Sequence, residues 1–223
     1  MKIELATPAD SISLAAIAQA CAPELPDNFT MRLGGAFHRA YYAALLAEPT
    51  TVAVCARASD EASGGASGGA VIGFAFGTLD SSAMMRAMKA ARPRLALGAA
   101  AGLCRRPWLL AGLVKRALSL GGKSSGEGYV VTAGAKVSFL AVDPARRTAQ
   151  AGPKLMKHAI AALRAAGAGA IQAEVDQSNP RVIRLHQRLG AAVTQEFVTP
   201  TGVPRVILEY PAAAAEPAVQ RAA

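Results

Sequence analysis

Arg146 and Arg147 lie in a loop between an apolar run, Val137 to Val142, and Gly152-Pro153. A proline in the first helical turn costs no backbone bond, so Gly152-Pro153 reads as a helix opening. A loop that feeds a helix N-terminus offers free N–H groups and a positive dipole end to an anion. Arg147, Thr148, Ala149, Gln150, Ala151 and Gly152 are therefore candidates to hold a phosphate-like group. The plain alternative is an ordinary strand-to-helix loop with solvated arginines. Further on, Ile171, Ala173 and Val175 alternate with Gln172, Glu174 and Asp176, which puts three polar side chains on one strand face. A carboxylate at a site mouth can take a proton from an amine, directly or through water, and Glu174 is the candidate. The alternative is a structural carboxylate paired with an arginine. His186 shares a helix face with Val182, Leu185 and Leu189, at spacings that turn it inward. It is either a proton-transfer group active near neutrality or a histidine half buried at a helix–sheet contact.

The elements that must position these residues follow in order. Val137–Val142 is a strand, followed by the basic loop and a helix with Leu155, Ala159, Ile160 and Leu163 as its inward stripe. Gly167 and Gly169 end that helix. Ala170–Asp176 is the next strand, and Asn179-Pro180 starts a second helix that Gly190 closes. Before this unit the pattern predicts a strand over Lys2–Thr7 and a helix capped by Thr7, with Ile12, Ala15, Ala16 and Ile17 inward. A second helix is predicted from about Thr30 to Glu48 with a stripe of Leu33, Phe37, Tyr41 and Leu45. Strands follow over Thr51–Arg57 and Ala70–Leu79, joined by a flexible loop, Ser63–Gly69. A closing hairpin is predicted over Ala192–Val198 and Arg205–Tyr210.

The motifs Val142-Asp143-Pro144-Ala145-Arg146-Arg147-Thr148-Ala149-Gln150-Ala151-Gly152 and Asn179 through Gly190-Ala191 resemble those of the GNAT superfamily of N-acetyltransferases. The close match covers about a quarter of the chain, and the element order extends it. The resemblance implies an α/β fold with a mixed sheet, of the GNAT-like acyl-CoA N-acyltransferase type. It implies acetyl-CoA as acyl donor, a primary amine as acceptor, direct attack and no metal. The pyrophosphate would meet Arg147 to Gly152, and the pantetheine arm would lie along Leu140, Ala141 and Val142, with Asn179 on the cofactor side. Glu174 matches a glutamate used as base in the ribosomal-protein alanine acetyltransferases. His186 stands where the family usually has a tyrosine that protonates the departing thiolate. Thr148 and Gln150 replace two glycines that permit close backbone approach, and Pro153 removes one donor. On the second helix, where the family often builds its acceptor pocket, Tyr41 reads as core and His38 and Tyr42 as acceptor-side candidates.

The chain has 223 residues, enough for one full core, and is 52% hydrophobic. Residues 1–211 read as a single domain and 212–223 as a disordered tail. Three cysteines at unrelated spacings give no disulfide framework or zinc motif and fit a reducing cytoplasm. The N-terminus has no apolar signal core, and the uncharged run near Leu95–Cys104 is too short to span a bilayer. The net charge of +9 is concentrated in residues 81–125, which hold nine basic and no acidic side chains. That segment reads as an insertion before the central strand: two helices, Ser81–Ala101 and Pro107–Leu120, and a linker, Gly121–Gly128. It would act as a lid, a homodimer face, or a contact for an anionic membrane surface or acidic partner; the plain alternative is a solvated helical pair. With Trp108 as its one aromatic, it offers no base-stacking series, which disfavours nucleic acid. Two other readings stand beside catalysis: a module that binds coenzyme A with little turnover, and a docking protein acting through the insertion.

Overall fold

The computed structural model describes residues 1–24, 33–58, 69–109, 134–148, 150–199 and 202–212. The predicted loop as far as residue 68, the second insertion helix beyond Leu109, the Gly121–Gly128 linker and the tail from residue 213 lie outside these.

Strand β1 (Lys2–Leu5) leads into a 3-10 turn, Pro8–Asp10, and helix α1 (Ser11–Cys21). Thr7 stands at the N-cap position, and its amide and hydroxyl both donate to Asp10 Oδ2 at 2.8 and 2.9 Å. The inward stripe of α1 is Leu14, Ile17, Ala18 and Cys21 with Ala15, whereas Ile12 is 65% exposed. Helix α2 (Gly35–Leu46) starts later than predicted. Strands β2 (Thr51–Arg57) and β3 (Val71–Thr78) follow, then α3 (Ser81–Ala90) and α4 (Arg92–Arg105). The single helix predicted over Ser81–Ala101 is thus two, parted at Ala91, because Pro93 suits only the first turn of a new helix. The rest is β4 (Ala135–Val142), α5 (Ala151–Ala165), β5 (Ile171–Asp176), α6 (Pro180–Arg188), β6 (Ala192–Val198) and β7 (Pro204–Tyr210).

The strands form one sheet in the order β1-β2-β3-β4-β5-β7-β6. β4 and β5 are parallel; every other neighbouring pair is antiparallel. Such a mixed sheet needs a crossover between its parallel strands, and α5 is that crossover. Helices α1 and α2 cover one face, packing Leu14, Ile17, Tyr42 and Leu45 on Ala53, Cys55, Phe74 and Phe76. Helices α5 and α6 cover the other, where Leu155 and Ala159 meet Val54, Ile72 and Ala75, and Met156 and Leu163 meet Val137, Ile171 and Leu208.

The insertion's first two helices lie against α2. A Cβ on Gly102 would sit 1.9 Å from the Leu33 carbonyl oxygen, and one on Gly98 would sit 2.8 Å from Phe37 Cα. Two glycines one turn apart let α4 and the α2 region meet backbone to backbone, antiparallel. None of the described helices is long and apolar enough to cross a membrane.

Candidate active site

β4 and β5 run side by side only at their start. Ala135, Lys136 and Val137 pair with Ile171, Gln172 and Ala173, and there the ladder stops. β4 continues to Val142 along β3, and β5 continues to Asp176 along β7. The parting coincides with a β-bulge: Gly77 faces Val137 and Phe76 faces Phe139, so Ser138 is an extra residue. A bulge bends its strand and increases its twist, here away from β5. Gly77 is required beside it, since a Cβ there would lie 2.4 Å from the Lys136 carbonyl oxygen.

The slit leaves backbone groups without a ladder partner. The Asp143 amide donates to Ile72 on β3, so by alternation the amides of Leu140 and Val142 face the slit. Ala141, in the same predicted set, is turned to β3 instead, and its side chain packs in the α1–α2 core. At the end of β4, Asp143 Oδ1 accepts from the Ala145 amide across a short 3-10 turn, Pro144–Arg146. Thr148 and Gln150 are exposed before α5; Ala149 lies outside the described residues. The first turn of α5 carries no acidic side chain, and Ala151 and Gly152 sit at its positive end. A Cβ on Gly152 would find only Leu140 Cδ2, at 3.6 Å, so this corner is sterically open towards the slit. Arg147 is anchored: Nη1 and Nη2 meet Glu24, each at 3.0 Å, and Nη2 also donates to the Val142 carbonyl at 3.3 Å.

Glu174 is the first β5 residue beyond the ladder, on the face opposite α5 and α6. Its side chain is 18% exposed and is held by two cations, Lys136 Nζ at 2.8 Å and Arg205 Nη1 at 2.5 Å. Arg205 also donates to Asp176 Oδ1 at 2.5 Å. Burial raises the Glu174 pKa, but Lys136 and Arg205 overcome it and hold the carboxyl below the ordinary range. The carboxylate therefore stays ionised and is a weak direct base for an ammonium group.

His186 is on the other face, 3% exposed. Its Nδ1 lies 2.6 Å from the Tyr210 hydroxyl, and Tyr210 pairs with Ile171, at the level where β4 and β5 are still joined. Burial pushes the imidazole pKa down to about 4, so the ring is neutral at pH 7 and is not a resting proton donor. The geometry is that of the helix–sheet contact, with Tyr210 as partner. Asn179 caps α6, its Oδ1 accepting from the Val182 amide at 3.3 Å. His38 is buried against Gln19 and the Gly34 carbonyl, and Tyr42 lies edge-on to Phe74 and Phe76 within the core. Neither is open to an acceptor.

The structure thus brings Leu140, Val142, Arg147 and Gly152 to one end of the slit and Glu174 to its other face. Lys136, Arg205, Glu24 and Tyr210 were not among the residues picked from sequence. Each meets its partner across strands or helices far apart in the chain, a pairing that no local pattern signals. Among the described residues there is no cluster of three or more metal-ligating side chains.

The Acetyltransferase (GNAT) family matches residues 116–191, which include β4 through α6. No curated protein sequence matches the chain. The fold is shared with yncA of Salmonella typhimurium, assigned as an acetyltransferase and solved with its cofactor acetyl-CoA; identity is 17%, coverage 98% of each chain and TM-score 0.56. It is also shared with a protein from Corynebacterium glutamicum described as histone acetyltransferase HPA2 and related acetyltransferase, at 19% identity, 98% of each chain and TM-score 0.56. An N-acetyltransferase from Staphylococcus aureus is similar at 14% identity, over 93% of this chain and 96% of its own, with TM-score 0.56. The central unit thus matches the GNAT acetyltransferase family in sequence, and the fold is shared almost end to end with solved structures described as acetyltransferases.

Proposed function

We propose that this protein transfers the acetyl group of acetyl-CoA to a primary amine by direct attack. The observation that carries this reading is the slit between β4 and β5, with unladdered amides on one edge and a basic helix start at its end. The residues fit the donor. An extended amide-bearing arm can pair with the free edge of β4, and a phosphate can sit at the opening of α5. The related Salmonella structure holds acetyl-CoA, which supports the same donor here.

Bound there, acetyl-CoA supplies an activated thioester carbon. The Leu140 and Val142 amides point where a thioester oxygen would gather negative charge, and fixed donors of that kind stabilise such charge. Glu174, ionised, holds the incoming amine or the water that carries its proton away. The nitrogen forms a bond to the acetyl carbon, the carbon–sulfur bond breaks, and the amine's proton balances the thiolate's gain through solvent. Lys136 and Arg205 fix the Glu174 carboxylate at the mouth of the slit. His186 holds Tyr210 and α6 in place rather than delivering a proton.

The test is acetyl-CoA titration by calorimetry, followed by thiol release across a panel of primary amines. Binding with amine-dependent thiol release is expected. Glu174→Gln should lower turnover at saturating substrate with little change in acetyl-CoA affinity. Binding without thiol release on any amine would instead identify a coenzyme A-binding module, and unchanged turnover would remove Glu174 from the chemistry.

A further inference from the structure

Arg147 engages Glu24 fork to fork. Nη1 lies 3.0 Å from Oε1 and Nη2 3.0 Å from Oε2, the bidentate geometry that a guanidinium also uses for phosphate. Glu24 ends a 3-10 turn, Ala22–Glu24, that continues directly from α1. The last residue of α1, Cys21, donates from Sγ to the Val142 carbonyl at 3.3 Å, the same oxygen that Arg147 Nη2 reaches. Three elements therefore close on one carbonyl: the tail of α1, the end of β4 and the arginine of the anion loop.

A guanidinium presents its paired terminal nitrogens to one oxyanion at a time. With both spent on Glu24, an incoming phosphate must displace the carboxylate to use them. The pair is open to water, with side chains 38% and 50% exposed, so it is weak enough for a multiply charged phosphate to outcompete. We propose that Glu24 is a positioning residue that occupies Arg147 as an internal surrogate for the donor's phosphate and sets donor affinity by competing with it. This rests on acetyl-CoA being the donor. Donor binding then exchanges one ion pair for another and releases the end of α1 from the anion loop. Glu24 touches no reacting atom, so its effect falls on donor affinity and leaves the chemical step alone.

The experiment is calorimetric titration of the full chain with acetyl-CoA, using wild type, Glu24→Gln, Arg147→Ala and the double variant. Glu24→Gln should tighten binding by about two- to fivefold, as expected for releasing an arginine from an exposed bidentate pair. Arg147→Ala should weaken binding, and Glu24→Gln should add nothing in that background. In turnover, Glu24→Gln should lower KM for acetyl-CoA and leave kcat unchanged. Unchanged or weaker binding by Glu24→Gln would overturn the competition while leaving the acetyl-CoA reading intact. Equal tightening with and without Arg147 would overturn it too, as a general charge effect. Failure of all four proteins to bind acetyl-CoA would sink both readings.

Discussion

Acid should weaken this protein before its carboxylates begin to titrate, and His186 should carry much of the loss. The ring is 3% exposed, and burial lowers its pKa from an ordinary 6.5 to about 4. In the unfolded chain it returns to the ordinary value. As pH falls, the unfolded state binds the proton first. The stabilising contribution is therefore complete above pH 6.5, declines between 6.5 and 4, and is gone below. Two and a half pKa units correspond to about 3 kcal/mol, most of it lost by pH 4.5. That is a large part of the roughly 5–15 kcal/mol that a domain has in total. The assay is urea unfolding of wild type and His186→Gln at pH 7, 5.5 and 4.5. Wild type should lose about 2.5 kcal/mol more than the variant across that range, about 1–2 M in urea midpoint. His38, also lowered by burial, is present in both proteins and cancels in the comparison. The carboxylates held low by ion pairs, Glu174 among them, begin to lose their contribution as pH falls past the ordinary 4.5, and they too are present in both proteins and cancel. Equal acid sensitivity in the two proteins would refute the argument, and would mean the imidazole is charged or solvated in the fold.

Two further outcomes test the architecture. Gly102→Ala forces a Cβ to within 1.9 Å of the Leu33 carbonyl oxygen. It should cost about 3 kcal/mol and lower Tm by roughly 6–10 °C, while Gly169→Ala, with nothing within 4 Å, should melt like wild type. Deleting Ser138 removes the bulge yet leaves Phe139 to Val142 on their present faces, because Phe139 already faces the β3 residue next to the partner of Val137. That variant should fold with near-native circular dichroism but lose at least about tenfold in acetyl-CoA affinity; retained affinity would separate the slit from the bulge.

The central unit was legible because its signals are local. An apolar run, a proline in a first turn, an asparagine cap and closing glycines each act within a few residues, and β4, α5, β5 and α6 appear where those signals put them. The helix break at Ala91 was equally local, since Pro93 marks it, but the alanine-rich run masked it. On α1, Ile12 suited an inward stripe by spacing alone; only the direction of the sheet shows that the stripe is Leu14, Ile17, Ala18 and Cys21. The slit was not readable, because it consists of hydrogen bonds that are not made between strands separated by a whole helix. The same holds for Glu174, whose character depends on Lys136, 38 residues away, and Arg205, 31 residues away. His186 reads as a proton donor by residue type and as a neutral buried ring once Tyr210 is beside it.

If the proposed chemistry holds, the two substrates need not share a doorway, because the two faces of the sheet beside the parted strands are lined differently. One side is walled by α5 and α6 and floored by Leu140 and Val142; the other bears the Lys136–Glu174–Arg205–Asp176 lattice. Each product can then leave by the side its parent entered, without waiting for the other. Free coenzyme A would compete with acetyl-CoA and not with the amine. The two sides could also diverge separately: α4 meets the α2 region backbone to backbone, in the helix layer over the proposed acceptor face. Changes in α4 would then act on the proposed acceptor side first.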